Sequence, residues 1–258
     1  MLEINKIYCM DNVEGMKLLD TESVDLTVTS PPYDDLRDYN GYSFDFENIV
    51  KNLFRITKNG GVVVWIVGDA TIKGNETGTS FKQALYFKEI GFNLHDTMIW
   101  NKNGFSAVGS LKYRYAPVFE YMFIFCKNKI KTFNPIKDRK TINGGKIASG
   151  TIRQKDGSMK PMSKKMVINE YGQRYNIWDI SPHRQKGKNH PAPFPEKLAE
   201  DHIISWSNER DLVLDPFMGS GTTAKMAKLN NRNYIGFDSS QEYCDIADNR
   251  LNSLGVTK

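Results

Sequence analysis

No apolar run in this 258-residue chain is long enough to cross a bilayer: the longest, Val62 to Val67 and Tyr121 to Cys126, have strand length, whereas a spanning helix needs roughly 18 residues. Met1 to Gly15 lacks a basic region followed by an apolar stretch and a small-residue cleavage site. That predicts no secretory signal and a cytoplasmic protein. Cysteine is scarce, and Cys9, Cys126 and Cys244 form neither a CxxC pair nor a disulfide framework. Four scattered histidines show no metal-ligand spacing. Reduced thiols and no bound metal are expected, and no repeat of solenoid length is present.

What the chain does contain fits an ordinary globular protein, with 40% hydrophobic and 25% charged residues and aromatics spread throughout. Its length suits one core with a modest appended segment. The net charge of +5 conceals an asymmetry. Between Cys126 and His190 stand 16 Lys and Arg against 4 Asp and Glu, net +12; the remainder holds 19 against 26, net −7. A concentrated basic segment suggests a polyanionic partner, because neutralising phosphates releases condensed counterions. Charge alone equally admits a solvated basic loop.

Short β-type runs alternate with helical patterns. The runs are Ile4 to Tyr8, Val24 to Val28, Val62 to Val67, Thr97 to Trp100, Phe119 to Phe125, Leu212 to Leu214 and Tyr234 to Phe237. Amphipathic stretches lie at Phe44 to Thr57, Ser80 to Ile90, Pro195 to Ser207, Thr222 to Leu229 and Gln241 to Leu251. The alternation predicts an α/β fold with a mostly parallel, seven-stranded sheet covered on both faces. Thr97 to Trp100 and Phe119 to Phe125, with no helical pattern between them, are expected as an antiparallel hairpin at one edge. The rhythm stops in the basic stretch, where Asn143-Gly144-Gly145 and Asp156-Gly157-Ser158 mark turns. We therefore expect a main domain of residues 1–126 and 176–258 and an insertion of residues 127–175.

Thr29-Ser30-Pro31-Pro32-Tyr33 follows the strand pattern of Val24 to Val28, at the carboxyl end of a parallel strand, where open α/β sheets bind ligands. The two prolines fix φ and hold Ser30 and the Pro31 carbonyl in a stiff extended loop, a rigid pair of hydrogen-bond acceptors. Such acceptors suit methyl transfer to an aromatic amine, since bonding to its protons localises a lone pair otherwise delocalised into the ring. Tyr33 is placed to stack on a base turned out of a duplex. Taken alone, the pentapeptide is also a proline turn with a buried tyrosine.

A second motif, Asp215-Pro216-Phe217-Met218-Gly219-Ser220-Gly221-Thr222-Thr223, runs from a short strand into a helix. Its glycines allow a tight turn and close backbone approach at the helix N-terminus. The absence of a lysine after Gly221 excludes a phosphate-binding P-loop. About 20 residues on, Tyr234-Ile235-Gly236-Phe237-Asp238 gives a strand ending in a carboxylate, suited to ribose hydroxyls or to capping the next helix.

Together, the two motifs resemble the S/D/N-P-P-Y and D-P-F-x-G-S-G-T-T motifs of DNA amino-methyltransferases, and their order resembles the permuted β subgroup. The resemblance covers about residues 1–125 and 176–258. It implies a Rossmann-like, circularly permuted fold, S-adenosylmethionine as cofactor and duplex DNA as substrate, with base flipping and direct in-line transfer. Ser30, Pro31, Pro32 and Tyr33 take the catalytic positions. Asp11, Thr29, Phe194, Asp215, Pro216, Phe217, Gly219, Ser220, Gly221, Thr222 and Asp238 take cofactor-binding ones, with Asp11 near the adenine ring. In that family serine at the first motif position occurs mostly in cytosine-N4 enzymes and aspartate mostly in adenine-N6 enzymes, so N4 of cytosine is the expected target. The insertion is the expected target-recognition region, with Lys137, Arg139, Lys140 and Arg153 as DNA contacts. The basic-aromatic cluster Lys112, Tyr113, Arg114 and Tyr115 ahead of it adds Lys112 and Arg114, and reads equally as a loop before the Phe119 to Phe125 strand. The resemblance also implies a restriction-modification setting, which leaves a partner endonuclease and a homodimer open.

Three other readings stay open on the sequence: adenine-N6 methylation, methylation of a protein glutamine, and an inactive DNA-binding module. Carbon-5 methylation of cytosine requires a nucleophilic cysteine, characteristically after proline, and the three cysteines here follow Tyr8, Phe125 and Tyr243.

Overall fold

The structure is a computed structural model that describes residues 2–32, 44–104, 111–148, 150–161, 166–182 and 195–255. It divides into two compact units, Met1–Asn134 with Asn176–Lys258, and Pro135–Tyr175.

The larger unit runs β1 (Lys6–Cys9), α1 (Asn12–Lys17), β2 (Val24–Thr29), α2 (Phe46–Ile56), β3 (Thr57–Val67), α3 (Thr79–Ile90), β4 (Asn93–Asn101), β5 (Phe119–Cys126), β6 (Ile177–Asp179), α4 (Glu196–Trp206), β7 (Leu212–Asp215), α5 (Thr222–Leu229), β8 (Asn233–Asp238) and α6 (Gln241–Asn252). One sheet joins the eight strands in the order β1-β8-β7-β2-β3-β5-β4-β6. Only β5 runs against the others, pairing antiparallel with both β3 and β4.

Alternation along β3 shows why the sheet is covered on both sides. Val62, Val64 and Ile66 join one core with Leu198, Ile203, Ala224 and Leu251 from α4, α5 and α6. Val63, Trp65 and Val67 join the other with Met16, Leu53 and Phe87 from α1, α2 and α3. A period of two in the strand thus feeds two helical layers. Asp45 caps α2 by accepting from the Asn48 N–H, and the apolar set Ile49, Val50, Leu53 and Ile56 faces inward. In the aromatic core Phe87 stacks on Phe125 with centroids 4.2 Å apart, and the Trp65 indole donates to Gln83 Oε1 at 2.8 Å.

Two expectations need correction. Among the described residues the sheet has eight strands rather than seven, and the antiparallel pair β4 and β5 is not at its edge, because β6 lies outside β4 in parallel register. β6 is three residues long with only Trp178 buried, set 4.5 Å from the ring of His202. A strand that short carries no periodicity to read. By contrast, β1 pairs with β8, and α6 packs on β1, so the chain's first strand meets its last, as the permuted order requires.

Candidate active site

Strands β2, β7 and β8 lie side by side and end together, and each ends in a site residue. Val28 and Thr29 close β2, Asp215 closes β7, and Asp238 closes β8. The parallel register places Leu214 beside Thr27 and Asp215 beside Gly236. Thr29 and Asp215, 186 positions apart, therefore meet at one edge of the sheet, because parallel strands share their carboxyl ends.

A buried network ties the two motifs. Thr29 Oγ1 donates to Asp215 Oδ1 at 2.6 Å, Thr223 Oγ1 donates to Asp215 Oδ2 at 2.7 Å, and the Phe217 N–H donates to Oδ1 at 3.0 Å. Burial pushes the Asp215 carboxyl up to about 6; the two hydroxyls and the amide pull down against it, and nearby Asp238 adds to the rise. Asp215 thus locks the end of β2, just ahead of Ser30-Pro31-Pro32, to the turn that opens α5. Ser30 and Pro32 are half-buried and Pro31 is buried.

The turn itself is glycine-dependent. Gly219 and Gly221 have φ of +51° and +79°, and a Cβ on Gly221 would stand 2.7 Å from the Ala247 Cβ of α6. Asp238 holds the turn from β8: its Oδ2 accepts from the Gly219 N–H at 2.8 Å and its Oδ1 from the Ser240 N–H at 2.9 Å. The cap of α6 is Ser240 rather than Asp238. Asp11, by contrast, is an exposed helix cap, accepting from the Glu14 N–H at 3.0 Å. It lies two residues beyond Cys9, which pairs with Asp238. Asn12 Nδ2 donates to the Pro216 carbonyl at 3.2 Å, joining α1 to the same turn. Phe217 packs its ring near Phe44 and Trp65, with centroids 5.8 and 6.3 Å away.

Three further contributors come from α4, α5 and α6. Arg250 of α6 donates to the Ser220 carbonyl and to Thr222 Oγ1, both at 3.0 Å, and pairs with Glu196, which also takes Lys225 Nζ at 2.6 Å. Burial raises the Glu196 carboxyl, but Lys225 and Arg250 outweigh it and hold the group below its ordinary value. This cluster braces the turn, and it draws Ser220 and Thr222 toward α6. The sequence does not show that the three converge, since they come from three helices.

Among the DNA candidates, Arg114 donates to Thr71 Oγ1 at 2.9 Å and to the Gly74 carbonyl at 2.8 Å, so it anchors its own loop to the hairpin of Thr71–Ile72 and Asn75–Glu76. Lys112 Nζ lies 5.1 Å from the centroid of the Tyr113 ring. Lys137, Lys140 and Arg153 are exposed and Arg139 is half-buried. Tyr33 and Phe194 lie outside the described residues. Among the described residues no group of acidic, histidine or cysteine side chains could hold a metal ion, and no helix is long and apolar enough to cross a membrane.

The family model described as DNA methylase matches residues 24–249, spanning the proline loop, the glycine turn and Asp238. The chain belongs to the DNA methylase family. One relative of this DNA methylase, the orphan methyltransferase M.BamHII of Bacillus amyloliquefaciens, is 61% identical over 237 residues and covers 89% of each chain. Among solved structures, the PvuII cytosine-N4-specific DNA methyltransferase superposes with a TM-score of 0.72 at 22% identity, covering 97% of this chain and 87% of that one. At that identity the likeness is one of fold. The M1.HpyAVI–SAM complex gives a TM-score of 0.63 at 25% identity, covering 95% and 99%.

Proposed function

We propose that this DNA methylase transfers a methyl group from S-adenosylmethionine to N4 of cytosine in duplex DNA. The observation that carries the reading is the bond from Thr29 to Asp215, which fastens the Ser30-Pro31-Pro32 loop to the glycine turn. Serine at position 30, where adenine-N6 enzymes mostly carry aspartate, supports cytosine as the base.

The cofactor fit rests on the two ends of β7 and β8. Positive φ at Gly219 and Gly221 keeps side chains out of the turn, and a carboxylate accepts up to about four hydrogen bonds. The two N–H bonds to Asp238 fix the plane of that carboxylate for ribose hydroxyls. Asp238, Asp11 and the backbone of residues 216–221 would hold the nucleoside and amino-acid parts, with Phe194 and Thr29 alongside. Asp215 acts through the loops it ties. S-adenosylmethionine supplies an electrophilic methyl group on a sulfonium, and no covalent intermediate on the protein is involved. Ser30 Oγ and the Pro31 carbonyl would accept hydrogen bonds from the N–H groups of the target amine and localise its lone pair, while Tyr33 would stack on the flipped base.

Residues 127–175 supply target recognition, with Lys112, Arg114 and exposed lysines of that segment such as Lys137 and Lys140 meeting the phosphates. The designation of the M.BamHII relative as an orphan methyltransferase supports an enzyme that modifies DNA without a dedicated endonuclease.

Incubation with unmodified duplex DNA and S-adenosylmethionine, digestion to nucleosides and mass spectrometry tests the reading. N4-methylcytosine is the expected product, and N6-methyladenine would overturn the choice of base. Replacing Asp238 with alanine should weaken S-adenosylmethionine binding about 10-fold to 100-fold, the range for losing hydrogen bonds to a charged group, while DNA affinity stays constant. Unchanged cofactor affinity in a calorimetric titration would remove Asp238 from the site.

A further inference from the structure

Among its described residues, the unit Pro135–Tyr175 pairs two arms of the chain in three short antiparallel ladders. Arg139 and Lys140 pair with Gly172 and Tyr171, Ile147 and Ala148 with Val167 and Met166, and Thr151–Arg153 with Met159–Pro161. Backbone bonds from Thr141 to Glu170 and from Gly145 to Ile168, each 2.8 Å, continue the ladder between the first two sets. The ribbon ends in a turn where Gln154 N–H donates to the Ser158 carbonyl at 2.7 Å and Asp156 accepts from both Ser158 N–H and Oγ.

This ribbon buries almost nothing. Ile147, Ile152, Met159, Met166, Val167 and Tyr171 are between 51% and 64% exposed, and a lone two-stranded ribbon is marginal in water. Apolar side chains kept exposed on both faces of a ribbon call for a partner surface. Charge chooses that surface, since the unit carries 10 Lys and Arg against 3 Asp and Glu, net +7. A B-DNA major groove about 12 Å wide admits a two-stranded ribbon.

We propose that the end of this ribbon enters the major groove and that Arg153 reads a base there, an inference that rests on the DNA-methyltransferase reading above. Cross-strand pairing puts Thr151, Arg153, Met159 and Pro161 on one face and Ile152 and Lys160 on the other. The Arg153 face turns to the base edges, its guanidinium donating to both major-groove acceptors of a guanine, with Met159 and Thr151 against thymine methyl groups. Lys155 and Lys160 meet phosphates. Arg139 instead braces the root of the ribbon, where its guanidinium crosses Gly172, donates to the Gln173 carbonyl at 3.0 Å and lies 4.5 Å over the Tyr175 ring.

The test alters the DNA first. In duplexes whose dG and dA are replaced by 7-deaza analogues, the purine N7 acceptors are gone from the major groove. Wild-type kcat/KM should fall at least 10-fold on them. Arg153→Ala should show a similar or larger fall on natural DNA, a smaller fall on the 7-deaza duplex because only the guanine O6 acceptor is left there to lose, unchanged S-adenosylmethionine binding, and a map of methylated sites relaxed at one position. Lys155→Ala should weaken all sequences alike and lower the salt slope by about 1. Wild-type indifference to 7-deaza DNA, or an Arg153→Ala site map identical to wild type, overturns the proposal. A wild-type protein that methylates neither duplex overturns the underlying reading, and this one with it.

Discussion

Ser30→Ala is expected to lower turnover on unmodified DNA about 100-fold or more while leaving S-adenosylmethionine affinity within about 2-fold of wild type, the loss being of the size seen when one preorganised hydrogen-bonding group is removed from a reacting centre. The exocyclic amine of cytosine is a poor nucleophile because its lone pair is shared with the ring. On the reading proposed above, the Ser30 hydroxyl and the Pro31 carbonyl would counter this only if they are held still, and three features hold them. Pro31 is buried, the two prolines remove backbone freedom, and Thr29 is anchored on Asp215. The effect should therefore fall on kcat rather than on KM, since the interaction strengthens as the amine becomes nucleophilic. Single-turnover kinetics with saturating DNA measures it. Near-normal turnover would remove Ser30 from the chemistry and leave the loop a purely structural turn.

Much of this arrangement was legible in the sequence because it is local. The run Val24 to Val28 followed by two prolines, and Leu212 to Leu214 followed by a glycine turn, each announce a strand and its end within about ten residues. That the two ends are neighbours, and that Thr29 and Thr223 converge on Asp215, depends on strand order, which residues 186 positions apart do not record. The brace of Arg250, Glu196 and Lys225 was illegible for the same reason: three helices contribute one residue each. β6 escaped because three residues cannot show a period. The insertion misled in another way. Its Gly, Asn, Lys and Ser content reads as loop, yet its described backbone forms three antiparallel ladders, because such pairing satisfies N–H and C=O groups regardless of side-chain pattern. Periodicity reports burial, and this ribbon buries too little to leave any.

Asp215 separates the effect of a buried charge from that of a hydrogen-bond hub. Its carboxylate is 5% exposed and, mainly through burial, titrates at about 6 rather than the ordinary 3.8. A folded-state value above the unfolded one means that the native protein binds the extra proton between those limits. The group's contribution to stability is then greatest below pH 3.8, is lost as pH rises toward 6, and is flat above that. At about 1.4 kcal/mol per unit, the loss comes to about 3 kcal/mol. Asp215→Asn removes the titration and keeps the shape. Its Oδ1 still accepts from Thr29 and Phe217, and the Thr223 hydroxyl, 3.3 Å from the Val28 carbonyl, turns to donate there and accepts from the new amide. Urea unfolding across pH 4 to 8 should therefore show Asp215→Asn gaining on wild type by up to about 3 kcal/mol between pH 4 and 6 and running parallel beyond. Curves parallel throughout would mean that the carboxyl titrates normally and that burial does not control it. Asp215→Ala strands the Thr29 hydroxyl and the Phe217 N–H, at about 1 to 3 kcal/mol for each left unmet, while Thr223 keeps the Val28 carbonyl as an acceptor. It should lose stability and turnover together, because the Ser30 loop and the glycine turn then lose the carboxylate that Thr29, Thr223 and Phe217 share.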